Sequence, residues 1–469
     1  MALLLAAGMT GAGATAAQAA ITTQAGPARA GAAQAGDILA QLKAIPGMQV
    51  TEKTSTIPGY RWFWLEYRQP VDHRKPWGPW FEQRIMLQHK SADKPMVLYT
   101  SGYNTPEVMF TSEPTALVDG NQISVEYRYF TPSRPEPTDW TKDTIWQAAT
   151  DEHRLIGALK TIYKGKWIST GASKGGMTAV YHKRFYPNDV DGSVVYVAPN
   201  DVNNNDDRAY DAFFKTVGDD PQCRAHVKAL AREFLKRRPA MLKRFKAAAD
   251  EQGLTFSILR TQDRAFENSV MDYEWAFWQY SLQSDCASLP SVDASDDEIY
   301  QTLDTISGLS FYSDQGLAPY IPYYYQAGTQ LGWPSPKFKN LRPLLRYESS
   351  YQPRTYVPRD IAMRFDHGRA MRDIDRWVRH NSNHMLFLYG ANDPWGAEPF
   401  TLGRGARDSA VYVAPGMNHS ARLIARLPAD EQAKAIADVK RWAGAETGVQ
   451  TFKSAPRADD PLQLQRPPL

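Results

Sequence analysis

Residues 83–89 alternate apolar and polar side chains, the two-residue period of a strand with one buried face. Residues 96–99 and 123–127 are short apolar runs, the pattern of strands buried on both faces. From residue 144 to residue 163 the period lengthens. Ile145, Ala148, Ala149, Leu155, Ile156 and Leu159 recur at helical spacing. A strand over 167–170, a helix over 174–185 and a strand over 193–198 follow. Strand and helix in alternation predict a mainly parallel sheet covered by helices, an α/β architecture. Strand-rich sequence begins at Tyr60, and a helix-like stretch over 37–45 precedes it.

After Asn200 the texture changes. Long helical patterns and aromatic loops fill residues 201–375, with few strand signals. Buried strands resume at 385–389 and 410–413, and a helix over 429–443 closes the pattern. The simplest organisation is a sheet domain, 37–200 and 376–450, interrupted by a mostly helical cap, 201–375. Residues 1–36 read as an export signal with a flexible or pro-segment. The polar, Pro-rich residues 451–469 read as a loose tail. No internal repeat is present.

Composition narrows the function classes. Of 469 residues, 43% are hydrophobic and 12% aromatic, enough for a large core and far from a disordered composition. The formal net charge of +3 gives no field that would gather nucleic acid or an anionic membrane. The basic cluster from Lys236 to Lys246 reads as a solvated helix face, interrupted at Pro239. The chain stays uncharged up to Arg29, with an apolar start and small residues near 17–20, which predicts export. The basic residues usual at such a start are missing. No segment is long and apolar enough to span a membrane. Cys223 and Cys286 are the two cysteines. In an exported protein they read as one disulfide, although two separate buried thiols fit the sequence as well.

Gly171-Ala172-Ser173-Lys174-Gly175 fits G-x-S-x-G and falls between a predicted strand and a predicted helix. That context marks a nucleophile elbow, a tight turn that lifts a serine hydroxyl above the sheet. A serine needs a base, and the base needs an orienting acid. Asp393 follows the strand 385–389, and His419 follows the strand 410–413, which gives the order Ser, acid, His expected of this fold class. For the oxyanion the expected donors are the backbone N–H of Lys174 and that of Tyr103, which follows Gly102 on the loop after the strand 96–99. His73 lies upstream of the serine, in the wrong order, and His384 sits at a strand start. No H-E-x-x-H, paired C-x-x-C or Gly-rich phosphate loop occurs, so no metal and no cofactor is expected.

Gly171-Ala172-Ser173-Lys174-Gly175-Gly176-Met177-Thr178 and Pro415-Gly416-Met417-Asn418-His419 resemble the bacterial secreted prolyl tri/tetrapeptidyl aminopeptidases. So do Gln69-Pro70-Val71-Asp72-His73 and Phe81-Glu82-Gln83-Arg84. A more distant similarity runs to the prolyl carboxypeptidase and dipeptidyl peptidase group. Lys174 stands where that group has an aromatic, and Gln330 where it tends to have an acid. The resemblance implies an α/β-hydrolase fold and a secreted serine exopeptidase that releases N-terminal tri- or tetrapeptides by cutting after proline. Its partners would be peptides with a free N-terminus, not nucleic acid or membranes. Such a site needs an aromatic slot for the proline ring and a carboxylate for the ammonium group. The insertion offers two aromatic runs, within 273–280 and 320–333, with Trp278 and Tyr323 as the candidates for the slot. Asp206, Asp207, Asp272 and above all Glu274 are the amine candidates. An esterase or lipase would use the same Ser, Asp and His, and a carboxypeptidase- or dipeptidyl peptidase-like enzyme is the other alternative.

Overall fold

The computed structural model describes residues 36–445. Residues 1–35 of the expected export segment and the tail from residue 451 lie outside the described residues. The core is one nine-stranded sheet. Its strands are β1 (Met48–Lys53), β2 (Arg61–Pro70), β3 (Trp80–His89), β4 (Met96–Thr100), β5 (Asn121–Val125), β6 (Trp167–Ala172), β7 (Gly192–Tyr196), β8 (Asn383–Gly390) and β9 (Arg407–Ala414). They lie in the order β1-β2-β3-β5-β4-β6-β7-β8-β9. The pairs β1–β2, β2–β3 and β3–β5 are antiparallel, and every pair from β5–β4 to β8–β9 is parallel. The fully apolar runs became the central strands: β4, β5, β6 and β7 are buried along their whole length. The alternating run became β3, which bridges the antiparallel and parallel parts.

The helix Ile145–Leu159 starts at Thr144, whose hydroxyl accepts from the Gln147 N–H, and buries its apolar face between sheet and solvent. The helix Lys174–Phe185 is buried along most of its length. It packs on both β6 and β7, and its first turn reaches the end of β4. Between β7 and β8 the described chain forms helices and loops. Pro239 does what the sequence predicts: one helix ends at Lys236, and the next, Arg238–Gln252, takes the proline in its first turn. The basic side chains there pair locally, Lys246 with Asp250 and Arg244 with Asp297.

The insertion is not a detached lid. Met177, Tyr181, Val195 and Phe387 of the sheet and its helix share one continuous apolar core with Phe214, Trp275, Tyr323 and Trp333 of the insertion. The position of the insertion over the strand ends is therefore fixed by hydrophobic packing. Among the described residues no helix is long and apolar enough to cross a membrane.

Cys223 and Cys286 form a disulfide with their Cα atoms 5.7 Å apart, closing a 63-residue span inside the insertion. Constraining a loop of that size in the unfolded chain contributes about 2–4 kcal/mol. The double variant Cys223→Ser/Cys286→Ser should therefore lose stability of that order in urea unfolding. An unchanged midpoint would show that the bond constrains nothing that matters to folding.

Candidate active site

Ser173 joins β6 to the helix Lys174–Phe185 with φ at +57°. A non-glycine residue in this region costs on the order of 1–3 kcal/mol and persists only where its surroundings fix it. Here the Ser173 N–H donates to the Tyr196 carbonyl at the end of β7, at 3.0 Å. The glycines around it leave no room for side chains. A Cβ at Gly171 would lie 2.4 Å from the Gly175 carbonyl oxygen, and one at Gly175 would lie 2.2 Å from that of Thr100. One at Gly176 would meet the Tyr196 oxygen at 2.6 Å. The Gly-rich motif thus records how closely the helix start approaches the ends of three neighbouring strands.

Asp393 follows β8 and His419 follows β9, and both side chains are buried. His419 Nδ1 lies 2.7 Å from Asp393 Oδ2. The other carboxylate oxygen accepts the Trp395 N–H at 3.0 Å. With the carboxylate ionised, Nδ1 donates and the lone pair sits on Nε2. Nε2 has no hydrogen-bond partner among the described residues. Serine–imidazole bonds are often loose until a substrate is in place. Trp395 links the two halves: it lines the same pocket as Ser173, and its ring lies 6.4 Å from that of His419.

Tyr103 differs from the sequence-based expectation. Its backbone N–H donates to Ser101 Oγ at 3.2 Å, so it is not a free donor for an oxyanion. Its side chain lines the same pocket as Ser173 and Lys174. Burial pushes this phenol well above its usual range, so it stays protonated and keeps a proton to donate. The Ser101 hydroxyl spans Tyr103 O and Val125 O, at 2.6 and 2.8 Å, which holds the turn open.

The Lys174 side chain folds beneath this loop. Its Nζ donates to the Gly102 carbonyl at 2.8 Å and lies 3.2 Å from the centre of the Tyr127 ring. Burial lowers its pKa to about 7, against the pull of Asp143 and Glu152. Lys174 therefore anchors the Tyr103 loop by its hydrogen bond to Gly102 and by contact with Tyr127.

The pocket over Ser173 is lined by Tyr103, Met177, Asp201, Tyr323, Gly332 and Trp395, among others. Tyr323 lines this pocket, with its ring 5.6 Å from that of Tyr103. Trp278 is not: it is fully buried in the insertion core, edge-on to Phe277. Glu274 is not either. It lines a neighbouring cavity with Lys228, whose Nζ is 3.6 Å away. Asp206 pairs with Arg208, and Asp207 accepts the Ser335 N–H. Asp272 is buried among the insertion helices, where desolvation raises it to about 8. Asp201 and Trp395 were not singled out from sequence. Each lies just beyond a strand end, Asp201 after β7 and Trp395 after β8, and that placement is the signal that would have found them. Among the described residues no group of His, Cys, Asp and Glu has the geometry to hold a metal ion.

A strained serine between a parallel strand and its helix, with an Asp–His pair on loops after two further parallel strands, defines an α/β-hydrolase of the serine hydrolase class. The chain belongs to the peptidase S37 family: the family described as PS-10 peptidase S37 matches residues 31–464. A prolyl tri/tetrapeptidyl aminopeptidase of Streptomyces mobaraensis is 54% identical over 428 residues, covering 91% of this chain and 88% of its own. Among solved structures, VinJ is 12% identical with a TM-score of 0.37, covering 84% of this chain and 99% of its own. Proline iminopeptidase of Mycobacterium smegmatis is 12% identical with a TM-score of 0.36, covering 81% and 98%. Likenesses this slight carry no argument about function.

Gly175→Ala tests whether the close approach positions the serine. It should slow labelling by a fluorophosphonate roughly 100-fold, the scale of a misplacement near 1 Å. Gly157 lies on an exposed helix face with nothing within 4 Å of a Cβ, so Gly157→Ala should label normally. Equal labelling of both variants would contradict the packing argument.

Proposed function

We propose that the protein is a secreted exopeptidase that releases tri- or tetrapeptides from a free N-terminus by cutting after proline. The observation that carries this reading is the pocket over Ser173, narrow, roofed by the insertion, and walled by Tyr323, Trp395 and Met177. A proline ring is rigid and apolar, loses little entropy on docking, and suits such a slot. The relative from Streptomyces mobaraensis, named for this activity, supports the same assignment. The Cys223–Cys286 disulfide supports export, since such bonds persist in oxidising compartments.

In this reading Ser173 Oγ attacks the carbonyl carbon of proline. His419 Nε2 takes the serine proton, and Asp393 holds the imidazole and stabilises its charge. The carbonyl oxygen, gaining negative charge, moves into the position between the Lys174 N–H and the Tyr103 hydroxyl and accepts from both. The protonated His419 then passes its proton to the leaving amine, which departs with the rest of the chain. Water, deprotonated by His419, attacks the acyl-enzyme; the Ser173 Oγ–carbonyl bond breaks, His419 returns the proton to Oγ, and the short peptide is freed. The insertion, residues 201–375, acts as the cap that limits how much peptide fits ahead of the scissile bond.

Three measurements test this. A panel of peptides with proline at each position, free or N-acetylated, should show cleavage after proline at the third or fourth residue of free peptides only. Cleavage at internal prolines of blocked peptides would replace the exopeptidase with an endopeptidase. Ser173→Ala should lower turnover by several orders of magnitude with the fold intact. Tyr103→Phe should lower kcat about 10- to 1000-fold with little change in KM, the pattern of a lost oxyanion donor. Near-normal turnover in that variant would remove the Tyr103 hydroxyl from the mechanism.

A further inference from the structure

Asp201 and Glu398 follow the C-terminal ends of β7 and β8, the strand next to the nucleophile strand β6 and the one after it. A short bridge between Pro199 and Pro399 draws the two segments together, and the Asn200 N–H donates to the Glu398 carbonyl at 2.9 Å. Asp201 is only 6% exposed. Its Oδ2 has no hydrogen-bond partner, although its carboxylate lines the pocket that holds Ser173. The carboxylate packs on Gly332, where a Cβ would come within 2.6 Å of Oδ2. The left-handed glycine on the roof of the pocket therefore makes room for it.

A buried carboxylate with an unsatisfied oxygen is costly unless a cation arrives. Among the described residues no ion pair reaches Asp201, Asp207 or Glu398. Burial and the nearby Asp207 raise Asp201 to about 7. Burial with Asp201, Asp207 and Asp206 raises Glu398 to about 8. The pocket by itself thus favours the protonated acids, and a cation entering it would favour their charged forms. No metal-holding geometry is present there, so the fitting cation is an organic ammonium.

We propose that Asp201 receives the α-ammonium group of the substrate, with Glu398 as the second carboxylate behind it. The assignment rests on the exopeptidase reading above. The ammonium at the substrate's N-terminus donates to Asp201 Oδ2 while the proline carbonyl lies at Ser173. Asp201 is then a specificity-determining residue: it requires a free N-terminus, and its place relative to Ser173 sets the length of the released peptide.

The experiment compares wild type, Asp201→Asn and Glu398→Gln on a fluorogenic Ala-Ala-Pro amide, with its N-terminus free or acetylated, and on a fluorophosphonate that has no amine. Wild type should prefer the free peptide by about 10- to 150-fold in kcat/KM, the worth of one charge-assisted hydrogen bond. Asp201→Asn should lose that preference through KM, so that free and acetylated peptides are cleaved with similar kcat/KM, while fluorophosphonate labelling reports whether Ser173 is still reactive. A wild-type preference retained by Asp201→Asn overturns the assignment. So does loss of the preference in Glu398→Gln while Asp201→Asn keeps it. Wild type that cleaves both peptides equally overturns the exopeptidase reading itself, independently of any variant.

Discussion

The site depends on one constraint: a serine held at positive φ where three strand ends and a helix start converge. The strain at Ser173 is sustained because everything near it is too close to relax. Gly171, Gly175 and Gly176 let backbone meet backbone, and the Thr100 hydroxyl donates into this contact, reaching the Gly175 carbonyl at 2.6 Å. The next residue extends the same arrangement. Lys174 offers its N–H beside the nucleophile, and its side chain reaches under the Tyr103 loop to the Gly102 carbonyl. Ser173 and the proposed oxyanion donors thus belong to one compact unit.

A second layer holds that unit to the sheet. Gln69 Nε2 donates to Gln83 and to the Asp151 carbonyl, and Gln83 donates to the Glu126 carbonyl. Glu126 pairs with Arg84 and accepts the Thr105 N–H just beyond the Tyr103 turn. Fully buried Arg128 grips Asp151 through two nitrogens, and His73 reaches the same carboxylate at 2.6 Å. Gln69, His73, Gln83 and Arg84 belong to the Gln-Pro-Val-Asp-His and Gln-Arg motifs, so the role of these motifs is positional. His73 is excluded from the chemistry by place as well as by order. Removing one partner of such a buried charge pair strands the other, which is far costlier than losing an exposed one.

The strands and the elbow were legible because their signals are local. Apolar runs bounded by turns gave β4, β6, β7 and β8 within a few residues, and three polar residues at strand ends gave Ser173, Asp393 and His419. The misreadings share a cause. An aromatic run on a helix does not say which side faces a cavity, so Trp278 was read as pocket and is core. Glu274 was weighed by its neighbours in sequence, whereas its partner in space is Lys228. Tyr103 is read from sequence through its backbone, because a loop after an early strand usually lends an N–H; in the structure that N–H donates to Ser101, while the phenol lines the pocket over Ser173. Asp201 depends on a bridge between two segments far apart in the chain, which no periodicity reveals.

The central claim is that Ser173 is acylated by the N-terminal peptide ending in proline. A diphenyl phosphonate analogue of proline, extended by two residues with a free amine, should phosphonylate the enzyme once. Peptide mapping by mass spectrometry should place the adduct on Ser173. An adduct on any other residue, or inactivation with Ser173 unmodified, would contradict the account.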